Sequence, residues 1–262
     1  MEFNIETYLN SLPEDTEEII LRHRNLEHLP SLTRFKNLKN LDCSSNKLAC
    51  LPDLNESLEI LNCYNNQLTS LPELNAKLQK LYCSYNQLSS LPELNENLEI
   101  LMCCYNQLTS LPILNTKIEL LMCNYNQLSS LPKLNEKLQG LYCHYNQLSS
   151  LPKLNEKLKY LWCGYNHLAS LPELNTNLQL LNCSENPISE IVTENAIDVM
   201  GMQIRKLNKF RYLYYSLQFK KRLRHWLWIK IREPKIKKIY HPDYLIENLH
   251  ENTDLDELLN NW

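Results

Sequence analysis

The stretch LYCHYNQLSSLPKLNEKLKY, residues 141–160, is followed directly by LWCGYNHLASLPELNTNLQL, residues 161–180. Both lines carry leucine, cysteine, asparagine and proline at the same places, which defines the unit L-x-x-L-x-C-x-x-N-x-L-x-x-L-P-x-L-N-x-x. The unit begins eight times without a gap, at Leu38, Leu58, Leu78, Leu98, Ile118, Leu138, Leu158 and Leu178. A degenerate copy, EEIILRHRNLEHLP at residues 17–30, precedes them. A fixed period of this length predicts a solenoid of nine coils, each packed on its neighbours.

Each coil is predicted to contain one short strand. Around Leu141 and Cys143 the sequence GLYCH alternates between inward apolar positions and outward positions, which is the period of a strand. Strands of successive coils are expected to pair in parallel. The return segment SSLPKLNEK contains a proline, which opposes a regular helix, so we expect an extended or single-turn return. The asparagines from Asn46 to Asn186, one in each unit, are expected to satisfy backbone groups of neighbouring coils.

The repeat resembles that of leucine-rich repeat proteins over roughly residues 16–191. Its period is similar to that of the short subclass found in bacterial effector proteins, whose return segment reads L-P-x-L-P. In this chain asparagine replaces the second proline, at Asn55, Asn75, Asn95, Asn115, Asn135, Asn155 and Asn175. The composition, with its basic tail, also resembles that of repeat proteins from giant DNA viruses of amoebae. These resemblances imply an α/β repeat solenoid, a leucine-rich repeat horseshoe with a parallel concave sheet.

The charge of the chain is unevenly distributed. Residues 1–199 carry 14 Lys and Arg against 23 Asp and Glu, whereas residues 200–262 carry 13 against 7. We therefore expect an N-terminal cap segment at residues 1–15, a solenoid at 16–191 and a helical, basic C-terminal cap or tail at 192–262. The chain starts with an acidic segment and contains no long apolar run, which favours a cytoplasmic location, or the host cytoplasm for a viral protein.

Eight of the ten cysteines share one inward position of the repeat, namely Cys43, Cys63, Cys83, Cys103, Cys123, Cys143, Cys163 and Cys183. A metal ladder or a disulfide staple is the alternative to simple packing. Zinc sites use cysteines that are close together in sequence, which this spacing does not supply. Free cysteine is among the most buried residue types. The column is therefore predicted to be a small apolar filler, with reduced thiols and no metal.

Function in a solenoid is expected on the concave face, at the outward positions that flank the inward leucine and cysteine. Of 32 such positions in eight coils, three are charged and ten are aromatic. A long apolar and aromatic strip marks an interaction site, and tyrosine, tryptophan and methionine are enriched in protein interfaces. The predicted contact residues are Tyr64, Tyr82, Tyr85, Met102, Tyr105, Met122, Tyr125, Tyr142, His144, Tyr145, Tyr160, Trp162 and Tyr165. The tyrosine column also fits a packing ladder, and that alternative stays open.

The repeat ends near Ile191, and a basic sequence follows. Residues 219–238, FKKRLRHWLWIKIREPKIKK, hold nine basic residues and one acidic residue. Because an open solenoid end exposes its core, this region is predicted to form a helical cap. The alternative is a nucleic-acid or anionic-membrane adaptor that acts through the basic C-terminal region.

No grouping of residues in the sequence indicates catalysis. The seven histidines are scattered, and three glycines leave no glycine-rich phosphate loop. Some effectors with similar repeats carry a ubiquitin ligase domain with a catalytic cysteine, but no cysteine follows Cys183. We therefore expect no enzyme, no cofactor, no metal and no small-molecule substrate. The expected function is that of a scaffold whose concave face binds a protein partner, of a host cell if the chain is viral.

Overall fold

The computed structural model describes residues 3–190, 219–226 and 228–235. The chain divides into two compact units, Met1–Arg211 and Tyr212–Trp262. Among the described residues, no helix combines the length and apolar character needed to cross a membrane. The boundary predicted after residue 191, and most of the predicted C-terminal cap, lie outside the described residues.

The repeats build one parallel sheet of nine strands that follow each other in chain order. The strands are β1 (Glu18–Ile20), β2 (Asn40–Asp42), β3 (Ile60–Asn62), β4 (Lys80–Tyr82), β5 (Ile100–Met102), β6 (Leu120–Met122), β7 (Gly140–Tyr142), β8 (Tyr160–Trp162) and β9 (Leu180–Asn182). Each residue pairs with the one at the same place in the next repeat, as Leu141 does with Leu161. Equal positions therefore stack into columns, and the predicted solenoid with its parallel sheet is confirmed.

The interior is filled by the central strand residue and by the cysteine that follows the strand. The leucines from Leu41 to Leu181 and the cysteines from Cys43 to Cys183 are at most 2% exposed in every coil. The predicted inward column of cysteines is therefore confirmed. Cysteine occupies less volume than leucine, so this column allows the two sides of a short coil to approach each other closely.

The asparagine after each strand links three backbone groups from two coils. Asn146 Oδ1 accepts from the Leu128 N–H at 3.0 Å, and its Nδ2 donates to the carbonyls of Cys123 at 3.0 Å and Cys143 at 3.1 Å. The same three bonds recur in each coil from Asn66 to Asn186. The structural role predicted for this asparagine is confirmed.

A second asparagine ladder, which the repeat pattern did not predict, runs along the return segments. Asn95 Nδ2 donates to the Asn75 carbonyl at 2.7 Å and to the Leu78 carbonyl at 3.0 Å. These asparagines stand where similar effector repeats have a proline, whose side chain cannot donate a hydrogen bond. The substitution therefore ties each return segment to the preceding coil. Between β1 and β9 the return segments contain turns and extended chain without a helix, as the prolines predict.

The N-terminal segment contains one short helix, α1 (Ile5–Asn10). Asn4 caps it by accepting a hydrogen bond from the Thr7 N–H at 2.9 Å. Ile5 and Leu9 are buried in the same apolar core as the first coils. This helix covers leucines that would otherwise be exposed at the start of the solenoid.

Candidate functional site on the concave face

The central concave row is formed by the last residue of each strand. Its aromatic and thioether members, Tyr82, Met102, Met122, Tyr142 and Trp162, are half-buried and point away from the core. Strand pairing places each of them directly beside the next, about 4.8 Å apart along the solenoid. These five side chains therefore form an unbroken apolar row across five coils.

The tyrosine column lies three residues further along each repeat, where the chain leaves the strand. Tyr85, Tyr105, Tyr125, Tyr145 and Tyr165 all adopt positive φ between 51° and 56°. Their rings stack in sequence with centroids 4.1–4.2 Å apart. Hydrogen bonding to the Tyr125 hydroxyl, with a further bond to Tyr85, raises the pKa of Tyr105.

These rings therefore form a packing ladder, one of the two interpretations that the sequence left open. The left-handed backbone is unfavourable for a tyrosine, and ring stacking is one interaction that offsets this cost. The ring edges remain accessible, since Tyr165 is 44% and Tyr85 is 42% exposed. Contact between the ladder and a partner stays a prediction.

The column just after the cysteine is less exposed than the sequence suggested. Tyr64 and Ser184 are exposed and His144 is half-buried, whereas the other five members are buried, namely Ser44, Ser84, Cys104, Asn124 and Gly164. Ser84, Cys104 and Asn124 nevertheless line the concave side of the sheet. All five have small or short side chains, and Ser84, Cys104 and Asn124 lie among the larger tyrosines and methionines of the neighbouring positions. Cys104 Sγ donates to Asn124 Oδ1 at 2.8 Å, and Ser84 Oγ accepts from the Cys104 N–H at 2.9 Å. These two bonds connect Ser84, Cys104 and Asn124 along the floor of the concave face.

Two clusters stand out among the predicted contact residues. The first is an apolar cavity of about 470 Å³ over the third to sixth strands, whose wall includes the predicted residues Tyr64, Tyr82, Tyr85, Met102, Tyr105 and Met122. The cavity is also lined by Asn62, Ser84, Cys104 and Asn124, which are not among the predicted contact residues. The only sequence signal for these four was their place beside the cysteine. The cavity is within the size range of sites that bind small molecules or side chains.

The second is an aromatic cluster over the sixth to eighth coils. The rings of Tyr142 and Trp162 lie 6.1 Å apart, and His144 lies 5.8 Å from Trp162 and 5.6 Å from Tyr125. Burial lowers the pKa of His144. His144 Nδ1 and Trp162 Nε1 are buried, and neither has a hydrogen-bond partner among the residues that the structure describes. Tyr160, on the neighbouring outward position, is 38% exposed.

The cysteine column has no features of a reactive site. Burial raises the pKa of Cys43 to about 12 and raises the pKa of the other seven column thiols. Such thiols stay protonated and are poor nucleophiles and poor metal ligands. Across residues 3–190, 219–226 and 228–235, no three His, Cys, Asp or Glu side chains converge as metal ligands would. Cys50, in contrast, is exposed.

The geometry defines a class of protein, namely a solenoid of short coils with a parallel concave sheet. The family of leucine rich repeats (2 copies) matches residues 56–96. YopM of Yersinia pestis, a leucine-rich effector protein, is 31% identical with a TM-score of 0.61, and the match covers 65% of this chain and 55% of that one. No curated protein sequence matches the chain.

A Shigella effector leucine-rich repeat domain is 30% identical with a TM-score of 0.55, over 62% of this chain and 72% of that domain. YopM of Yersinia enterocolitica is 32% identical with a TM-score of 0.51, over 66% of this chain and 47% of that one. The match thus spans about half the length of the two Yersinia proteins. The chain belongs to the leucine-rich repeat family, and its structural neighbours include bacterial effectors, as the short repeat predicted.

Proposed function

We propose that the chain is a non-catalytic scaffold whose concave face binds a protein partner. The leucine-rich repeat fold is typical of interaction modules, which supports protein binding in general. The observation that carries the proposal for this face is the apolar cavity beside the aromatic cluster. Exposed apolar surface of this kind is costly in water unless a partner covers it.

The chemistry of the face favours a partner with uncharged, apolar anchors. Only Asp42, Lys80 and Glu185 are charged among the 32 outward concave positions. Interfaces are typically depleted of charge at their centre and anchored by a few side chains that fill pockets. The cavity therefore suits an aliphatic or aromatic side chain of the partner, and the flexible side chains of Met102 and Met122 can adjust to its shape.

The aromatic cluster suits a second, partly polar contact. A partner group that accepts from Trp162 Nε1 or donates to His144 Nδ1 would satisfy a buried polar atom after a small side-chain rotation.

We also propose a cytoplasmic site of action. The resemblance to giant-virus proteins leads us to propose further that the partner belongs to a host cell.

Site-specific photo-cross-linking tests the proposed face directly. A photoreactive phenylalanine analogue is placed at Met122, in the cavity, and in a matched control at Ile113, which is apolar and 87% exposed outside the concave face. Irradiation in lysate of the cell that produces the chain should give a discrete cross-linked protein from position 122, competed by unlabelled wild type. Equal cross-linking from position 113, or failure of competition, would refute the proposal.

A further inference from the structure

The second unit contains a basic helix with an exposed apolar face. Residues 219–226 are helical, and Phe219, Leu223 and Trp226 are spaced by four and three residues, which places them on one side of the helix. These side chains are 68%, 43% and 53% exposed. The π-helix Trp228–Arg232 adds the exposed side chains of Trp228 and Ile229. Five large apolar side chains are thus exposed within eleven residues.

The positive charges of the helix lie around this apolar face. With 100° between successive residues, Lys221 and Arg224 lie opposite the apolar side, and Lys220 and Arg222 lie at its flanks. All four are exposed. Residues 219–235 carry seven Lys and Arg and one acidic residue. The segment is therefore amphipathic and strongly basic.

We propose that residues 219–226 and 228–235 bind the surface of an anionic lipid bilayer, with Phe219, Leu223 and Trp226 inserted at the headgroup level. A short helix with aromatic and aliphatic residues on one side and lysine and arginine on the other is the pattern of interfacial membrane helices. Each basic residue near an anionic surface adds attraction, and the acidic solenoid has the wrong net charge for this role. This function is independent of the concave face.

The apolar face is the reason to favour a bilayer over a nucleic acid. Phosphate contacts need only the lysines and arginines, and they leave the neighbouring apolar side chains in water. A bilayer removes both kinds of exposure at once, because its surface is anionic and its acyl region is apolar. Tryptophan, moreover, is enriched at membrane interfaces.

Sedimentation of the full chain with vesicles tests the proposal. Vesicles of equal phosphatidylcholine and phosphatidylserine should bind the chain, with a blue shift of tryptophan fluorescence, and vesicles of phosphatidylcholine alone should bind it far more weakly. Lys220→Gln with Lys221→Gln should weaken binding about thirtyfold. Phe219→Ser with Trp226→Ser should also abolish most binding. Lys133→Gln with Lys137→Gln, which removes two exposed solenoid charges, should leave binding unchanged.

The remaining outcomes decide against the proposal. Equal binding to the two kinds of vesicle would overturn it, as would vesicle binding that is indifferent to Phe219→Ser with Trp226→Ser. Binding of duplex DNA or RNA that is tighter than vesicle binding and insensitive to the serine variant would assign the segment to nucleic acid instead. Circular dichroism and the thermal transition of each variant show whether the solenoid is intact, so that loss of binding is not confused with loss of fold.

Discussion

Tyr142 and Cys143 are neighbours in sequence and opposite in role. Cys143 is fully buried and belongs to a column that is cysteine in all eight regular coils. Tyr142 faces outward in a row that reads Asp42, Asn62, Tyr82, Met102, Met122, Tyr142, Trp162 and Asn182. The inward environment is the same in every coil, so it calls for the same residue each time. The outward row meets no such constraint, and its variation is consistent with the proposed recognition of a partner.

Placing a charge on the inward side should break the fold. In Cys143→Asp a carboxylate replaces a thiol that is 0% exposed, with no cation beside it, and the cost should exceed about 4 kcal/mol of unfolding free energy. Chemical denaturation should show little cooperative transition. Cys50→Asp makes the same change at the exposed cysteine and should unfold like the wild type. A stable Cys143→Asp protein would show that the column is not the core.

Removing one link between coils should cost less. Asn146→Ala deprives the Leu128 N–H and the Cys123 and Cys143 carbonyls of their partner, which should lower the unfolding free energy by about 2–3 kcal/mol. Gln147→Ala, at the next and exposed position, should change it by less than about 0.5 kcal/mol. Equal stability of the two variants would argue against the asparagine ladder as a source of stability.

Interrupting the tyrosine ladder should have a smaller effect. Tyr125→Asn keeps a residue that tolerates positive φ, as Asn65 does at the same place, but removes two stacked contacts at 4.1 and 4.2 Å. The expected loss is about 1–2 kcal/mol in thermal or chemical unfolding. Glu185→Asn, at the equivalent position with no ring to lose, is the matched control. If both substitutions change the unfolding free energy equally, the stacking of the tyrosine rings does not stabilise the fold.

The smallest expected effect is on the pH dependence of stability. Burial lowers the pKa of His144, so the unfolded chain takes up this proton first as the pH falls through its ordinary value of about 6.5. Below that pH the unfolding free energy therefore decreases until the native His144 is also protonated. His144→Gln should remove this part of the decrease between about pH 7.5 and 5.5. If the melting temperatures of the variant and the wild type depend on pH in the same way over this range, His144 is not responsible for the decrease.

The periodic features of the fold follow from the sequence. A strict repeat fixes the register of the strands, so the structure of one coil predicts that of the others. The alternation of apolar and outward residues around Leu141 and Cys143 correctly predicted that the cysteine column is buried. The hydrogen-bonding capacity of asparagine likewise predicted that Asn146 satisfies backbone groups of neighbouring coils. These inferences succeed because each depends on one coil and its identical neighbour.

Other features depend on turn geometry that alternation does not describe. The left-handed conformation at Tyr125 carries the chain out of the strand and aligns the rings, and the period-two pattern no longer applies there. The burial of Cys104 and Asn124 follows from the size of side chains beside them. The cavity therefore could not be located from the sequence, although its methionine and tyrosine walls were predicted to be contact residues.

Recognition by the outward row, separate from stability, is tested most directly by one pair of measurements on Tyr142→Ala with Trp162→Ala. Titration calorimetry uses the partner recovered by cross-linking at position 122, and calorimetric melting uses the same samples. Affinity should fall by at least about thirtyfold, because two interface aromatics are truncated. The melting temperature should change by less than about 4 °C. Undiminished affinity, or loss of the folded state in the double variant, would contradict the division between an outward row that recognises and an inward column that holds the fold.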